Sequence, residues 1–391
     1  MTRSRAGSIA LLATVAACGL ELRGTAPADG GAPSVDAGDA AIADAQADAS
    51  DASSADGAAP VEWKKSITIA ASQVAGALAD FPVWIDLVDA DVAARASADG
   101  HDVHFTASDG TSLDYEIQRW DGASKHLSAW VRVPQLSSTS ATVIELRYGG
   151  ARAAPGPDPA RVFSASFAAV WHLEDSLLQS SIVEATGARP GTAYALSTTQ
   201  QVAAKLGGGV AFDGGAAQIS FGNPLAGTTP HTISLWVSQR TTTTNDALVV
   251  VGNGACGQSR WLHAHFNGDT VASGFYCNDW GTPNVPIDNV GWVLLHWVYE
   301  GGPQGTSRLY RNGALAAGPF MHGGSAINTQ GMGGYIGNAP IAFGTNMGAT
   351  ATIDEVRIAT VARGAAWIAT EWANQSAPGS FYQVGPETAV R

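Results

Sequence analysis

Residues 348–375 read GATATIDEVRIATVARGAAWIATEWANQ, and two acids, Asp354 and Glu355, stand side by side in them. Whether they form a catalytic pair or part of a scaffold decides how the chain is read. TIDEVRI has the β-branched and apolar content of a strand, and successive strand side chains point to opposite faces. Asp354 and Glu355 are therefore expected on different faces, unable to act on one bond. Glu355 and Arg357 share a face and can pair. Asp354 is expected to share the other face with Val356 and Ile358 and to tie to backbone N–H groups; ligation of calcium is its weaker alternative. After the strand, RGAAWIATEWAN at 363–374 has helical spacing, with Ile368 four residues before Trp372.

The same texture extends upstream. FPVWIDL sets Val83, Ile85 and Leu87 against Trp84 and Asp86; SLDYEIQRW sets Leu113, Tyr115 and Ile117 against Asp114, Glu116 and Gln118. ATVIELRYGG and HTISLWVS alternate in the same way, through Ile144, Leu146 and Tyr148 and through Ile233, Leu235 and Val237. Such period-two runs bounded by Gly, Pro, Asp and Ser are antiparallel strands. Asn312-Gly313 in SRLYRNGALAAG supplies the positive φ values of a two-residue hairpin turn. A chain of 391 residues exceeds one ordinary domain. It divides at the Pro-rich AAPGPDPA, residues 153–160, into one β-sandwich at 61–155 and a second at 162–391 that ends in a short helix. The fold class is all-β, two sandwiches in series.

Ahead of them lies a different composition. Arg3, Arg5 and an apolar run from Ile9 to Ala17 make a secretory signal over 1–17, too short for a membrane span. VAAC, ending at Cys18, resembles a bacterial lipoprotein signal. That resemblance implies lipidation of Cys18 and a membrane contact through the lipid alone, with Gly19 favouring the outer membrane or cell surface. Residues 18–60 are a disordered tether; 24–60 hold seven Asp and no Lys, Arg or aromatic residue, so no core can form there. The formal charge is −13 with no basic run, which speaks against a nucleic-acid partner. In an exported protein Cys256 and Cys277 most simply form one disulfide. Nothing in the pattern demands an oligomer, and a monomer is expected.

Two stretches carry a family resemblance. EWKKSITIA, FPVWIDL, GHDVHF, SDGTSLDYEI, WVRVP and RYGG, in order over 61–150, resemble the bacterial surface family called domain of unknown function 2341, which implies no activity. His101 and His104 depart from its usual residues. AAVWHLED, KLGGGVAFDGG, HTISLWVS, LYRNGALAAG, YIGNAP, IDEVRIATVARGAAW and GSFYQVG, over about 165–386, resemble a laminin-G-like, concanavalin A-like jelly roll. DSLLQSSIVEATG at 175–187 departs from the short polar turn usual there. The resemblance implies a scaffold role for TIDEVRI and makes calcium a possible cofactor.

Jelly rolls also carry glycoside hydrolases, so the residues themselves must be asked. Glycosidases need two carboxylates facing one bond. The jelly-roll signature E-x-D-x-x-E is absent, since no Glu here is followed two residues later by Asp. G-x-S-x-G, H-E-x-x-H and a phosphate loop are also missing. RWLHAHFNG places Trp261, His263 and His265 on one strand face; two His at i, i+2 can share Zn²⁺, but a third ligand is not evident. CNDWGTPN adds Asn278, Asp279, Trp280 and Asn284 on a disulfide-pinned loop, where an exposed Trp would offer a flat surface to a sugar ring. These seven residues are the ligand-binding candidates, for carbohydrate or another surface protein. The expected function is non-catalytic recognition or adhesion. The alternatives are a polysaccharide hydrolase or lyase on the jelly roll and a purely structural envelope component.

Overall fold

A computed structural model describes residues 61–391 apart from 152, 165, 241–244, 265–269, 284, 332, 340–346 and 391. Cys18, the signal and the tether, with His265 and Asn284, lie outside the described residues. The described residues form one compact unit. Among the described residues no helix is long and apolar enough to cross a membrane.

Four sheets are stacked face on face. The first runs Tyr382–Val384, Trp63–Ile69, Thr142–Tyr148, His104–Ala107, with Thr388–Ala389 also on Trp63–Ile69; the second runs Leu78–Val88, His126–Leu136, Tyr115–Asp121. Between them Ile67, Phe81, Val83, Ile85, Ala129, Val131, Ile144 and Leu146 make the first core, on the faces the alternation assigns. Trp84 and Trp130 point the other way. The third sheet runs Gln201–Ala204, Gly207–Ala211, Ala351–Ala359, His231–Gln239, Val293–Tyr299, Thr306–Arg311, Ala314–Met321, with Phe167–Trp171 beside Ala351–Ala359. The fourth runs Asn278–Pro283, Thr270–Phe275, Ser259–Ala264, Asp246–Gly252, Gly333–Ile336, Gln218–Gly222, Gly191–Tyr194, Ser181–Ile182. Ile233, Leu235, Val237, Val249, Val251, Leu262, Ile336, Ile353, Val356 and Ile358 fill the jelly-roll core between them. The hairpin turn is as the dipeptide requires, with φ +49° at Asn312 and +80° at Gly313.

The two sandwiches are joined more closely than a series implies. The outer face of the second sheet meets the outer face of the third, packing Trp84 and Trp130 with Phe163, Val170, Trp236 and Leu294. The C-terminus also corrects the expected division, because Tyr382–Val384 and Thr388–Ala389 pair with Trp63–Ile69 rather than with the jelly roll. Trp367, Phe381 and Tyr382 enter the first core. The reason is two exposed edges: Trp63–Ile69, which the two C-terminal strands cover, and Leu78–Val88, which ends the second sheet; edge backbone needs a partner. The helix Ala365–Ser376 covers the edge of Leu78–Val88. Asn374 accepts from Trp84 N–H through Oδ1 (2.7 Å) and donates through Nδ2 to Trp84 C=O (2.9 Å), replacing a missing strand. The next residue, Gln375, accepts from Trp236 Nε1 (2.7 Å), so one helical turn ties both sandwiches.

TIDEVRI is a strand, but its faces are not those the alternation gives. The pairing skips between Ser234↔Arg357 and Trp236↔Asp354, leaving Glu355 and Val356 opposite Leu235. This is a β-bulge, with Glu355 at φ +52°. Beyond the bulge the parity inverts. Ile353, Val356 and Ile358 all enter the core, while Asp354, Glu355 and Arg357 all lie toward the first sandwich. The two acids thus share one side of the sheet after all.

Candidate functional site

The fourth sheet has one outer face that no other sheet among the described residues covers. Its register places one continuous row across all eight strands: Asp279, Gly274, Trp261, Val250, Tyr335, Ser220, Thr192, Ser181. At about 4.8 Å per strand the row spans about 34 Å. One step along the strands, Gln218 faces Tyr194 in the same way. The inner partners confirm the parity, since Ile219, Phe221, Leu262 and Ile336 are core residues. Half of the row is closed. Val250 and Trp261 are buried with Ala247 and Ala339, and Met347, Tyr276 and half-buried Tyr335 pack against them. The other half is open: Ser181 and Thr192 are exposed, Gln218 and Ser220 half-buried, and Tyr194 is 61% exposed.

The residues singled out from the sequence divide between two faces. Trp261, His263 and Asp279 lie on the outer face. Trp261 donates from Nε1 to Asp279 Oδ1, and its ring meets His263 edge-on at 4.7 Å. Burial pushes the Asp279 carboxyl up to about 6, although the Trp261 hydrogen bond opposes this. Burial likewise pushes the His263 imidazole down to about 3, so it is neutral. Asn278 and Trp280 point the other way. Asn278 donates to Ser325 C=O and accepts from Gly324 N–H. Trp280 lies flat on Phe320, with centroids 5.0 Å apart and planes at 4°, against the jelly-roll core. The expected exposed Trp is thus corrected: alternation within Asn278–Pro283 turns position 280 inward. Cys256 and Cys277 are bonded, with Cα atoms 5.0 Å apart. The open aromatic on this face is Tyr194, which the sequence reading did not single out. Its signal was the alternation Thr192-Ala193-Tyr194 beside Gln218-Ile219-Ser220-Phe221.

The charged residues gather elsewhere, between the second and third sheets. Arg357 pairs with Glu355 (2.8 Å) and Glu371 (3.2 Å), and its guanidinium lies 4.2 Å over the Trp130 ring. Glu371 reaches His296 (3.0 Å). His172 contacts Glu355 through Nδ1 (2.6 Å) and Glu116 of the first sandwich through Nε2 (3.2 Å). Burial would push the His172 pKa down, but the two carboxylates together hold it well above its usual range. In Glu355 burial is outweighed by His172 and Arg357, which keep it ionised. Asp354 behaves in the opposite way. Burial and then the Glu355 charge raise it well above a normal carboxyl, despite the bond from Leu206 N–H (2.8 Å). Two adjacent buried acids are thus shifted in opposite directions, as coupling at short range requires.

A cleft of about 290 Å³ opens at the rim of this junction, lined by Glu116, Ile117, Gln118, His172, Glu174, Asp175 and Val183. Burial raises the carboxyls of Glu174 and Asp175. The atypical 175–187 stretch forms its wall, pinned where Val183 N–H donates to Asp175 (2.9 Å). Among the described residues no three of His, Cys, Asp and Glu are arranged to hold a metal ion, Asp354 included. Ser307 and His322 do lie 2.7 Å apart, but both are fully buried, out of a substrate's reach.

Two family models match the chain in the expected order. Residues 99–170 match the model Domain of unknown function (DUF2341), and residues 213–369 match the Concanavalin A-like lectin/glucanases superfamily. The chain thus carries a DUF2341 segment followed by a laminin-G-like, concanavalin A-like domain. A search of curated proteins finds no match. Among solved structures, a Trypanosoma rangeli sialidase bound to 2,3-difluorosialic acid is similar at 13% identity and TM-score 0.41, over 54% of this chain and 33% of that one. Domain 4 of the GH43 arabinanase AbnA from Geobacillus stearothermophilus, solved with arabinotriose, is similar at 17% identity and TM-score 0.41, over 53% and 98%. The binding domain of Paraclostridial Mosquitocidal Protein 1 is similar at 12% and 0.40, over 52% and 51%. The chain therefore spans about a third of the sialidase's length.

Proposed function

We propose that this protein is a non-catalytic surface protein of the cell envelope that recognises carbohydrate through the outer face of the fourth sheet. The observation that carries the reading is the open half of the eight-strand row, where Ser181, Thr192, Ser220 and Gln218 surround exposed Tyr194. Hydroxyls and an amide can both donate and accept to sugar hydroxyls. A Tyr ring offers the apolar body that a sugar face needs, at small entropic cost. In a concanavalin A-like domain, that is the chemistry of recognition. The protein is exported and held by lipid on Cys18, with the acidic tether as spacer.

The test is a glycan array and polysaccharide pull-down with the full chain and Tyr194→Ala. Loss of binding with an unchanged melting midpoint is expected; full binding by the variant would remove the face from consideration. Metabolic labelling with a clickable fatty acid should mark the wild type and not Cys18→Ala.

Catalysis is the second reading, and one observation favours it. The cleft brings carboxyls raised by burial, Glu174 and Asp175, close to Glu116. A carboxyl raised by burial with a second carboxyl nearby is the kind of pair glycoside hydrolysis uses. Reducing ends released from polysaccharide by the wild type but not by Glu174→Gln would establish it.

A further inference from the structure

Resting on that recognition reading, we infer that the site selects uncharged, hydroxyl-rich glycans over acidic ones, with the saccharide lying across the strands along the row. The argument concerns where the positive charges of the jelly roll are. No Lys occurs after Lys205 in the sequence. The arginines that follow and are described have other work. Arg240 donates to Phe212 C=O (2.6 Å). Arg260 is buried, donating to Thr329 Oγ1 and to the carbonyls of Thr229 and Gly227. Arg308 pairs with Glu300, and Arg311 donates to Pro286 C=O (2.7 Å). Arg357 is enclosed between the sandwiches with Glu355 and Glu371. Arg363 stacks on Trp367, 3.6 Å from the ring centre. Near the open strands, Arg189 donates to Ala168 C=O (3.0 Å) and Lys205 to Ser376 C=O (3.0 Å). The cations of the first sandwich lie across two sheets.

Among the described residues the row itself holds no Lys or Arg, so a sugar carboxylate or sulfate brought onto it would shed water without a cation of the row to pair with. An anion desolvated without a partner costs several kcal/mol; sites built for such groups place Arg or Lys there. The one carboxyl of the row, Asp279, lies at its far end and offers an anion no attraction. A neutral sugar meets none of these costs. The row also fixes direction: its Ser, Thr and Tyr side chains follow one another from strand to strand, perpendicular to the chain.

The experiment uses the full chain and paired probes: neutral oligosaccharides and the same oligosaccharides carrying sialic acid or a uronate. The neutral member should bind about tenfold or more tighter than its acidic counterpart, the size of one lost charge pairing. That binding should change by no more than about twofold between low and about half-molar salt, because no ion pair is there to screen. Ser220→Lys places an ammonium in the open half and should narrow the preference and make acidic binding salt-sensitive. Equal or tighter binding of the acidic members by the wild type overturns the selectivity while leaving recognition standing. Silence from both classes overturns the recognition reading and this one with it.

Discussion

The jelly roll has two outer faces, and they were given opposite chemistry. The face of the third sheet carries Asp354, Glu355, Arg357 and His296, buried under the first sandwich and the helix Ala365–Ser376, with His172 beside them at the rim of the cleft. On the fourth sheet the open half carries Ser, Thr, Gln and Tyr, with no formal charge in the row until Asp279 at its far end. Asp354 and Glu355, the adjacent acids that raised the question of catalysis, are thus taken out of reach by the fold. Buried ions must be paired within the protein, because leaving one unpaired costs more than the pair gains. Neutral polar groups at a surface carry no such demand and are free for a ligand.

Four substitutions can break or sharpen this contrast. Arg357→Ala should have the largest effect, leaving Glu355 and Glu371 buried with their shared cation gone. A loss of about 3–5 kcal/mol in chemical denaturation is expected; a change below about 1 kcal/mol would mean the layer is wet rather than dry. Asn374→Ala should cost about 2 kcal/mol, because both backbone groups of Trp84 lose their partner at an edge, and hydrogen exchange at Trp84 N–H should accelerate. An unprotected Trp84 amide in the wild type would break the claim.

Asp279→Asn tests the other face through pH. Its carboxyl titrates near 6 in the fold against 3.8 as the reference. The native state therefore keeps a proton that the unfolded chain has lost, and this contribution declines as pH rises from about 4 through 6. The variant should gain up to about 1 kcal/mol at pH 7.5, after allowance for partial exposure, and nothing at pH 4. A gain of equal size at both pH values would point to packing instead. Tyr194→Ala, at an exposed site, should stay within about 0.5 kcal/mol of wild type in stability while losing glycan binding. Destabilisation there would make Tyr194 a packing residue.

Much of this was legible in the sequence. Period-two alternation placed Val83, Ile85, Ile144, Leu146, Ile233 and Leu235 on the correct core faces, and Asn312-Gly313 gave its turn. The motifs gave the order of the two domains. What failed, failed for identifiable reasons. Alternation counts residues, and the bulge at Glu355 adds one, so the parity of Asp354 was inverted without any local sign in TIDEVRI. Trp280 read as a display residue because its neighbours are polar, yet strand parity turned it onto Phe320. Tyr194 was passed over because Gly191–Tyr194 is four residues long and lacks the length that makes a strand evident.

By itself, then, the sequence determined the element types, the two cores and the absence of a basic run. Those are sums over composition and local period, and no neighbour can change them. Only the tertiary structure decided which outer face is sealed and which is open, and that the last strands return to the first sandwich. These depend on contacts between residues far apart in the chain, such as Asn374 with Trp84 and His172 with both Glu116 and Glu355. A pattern that repeats every two residues holds no information about them.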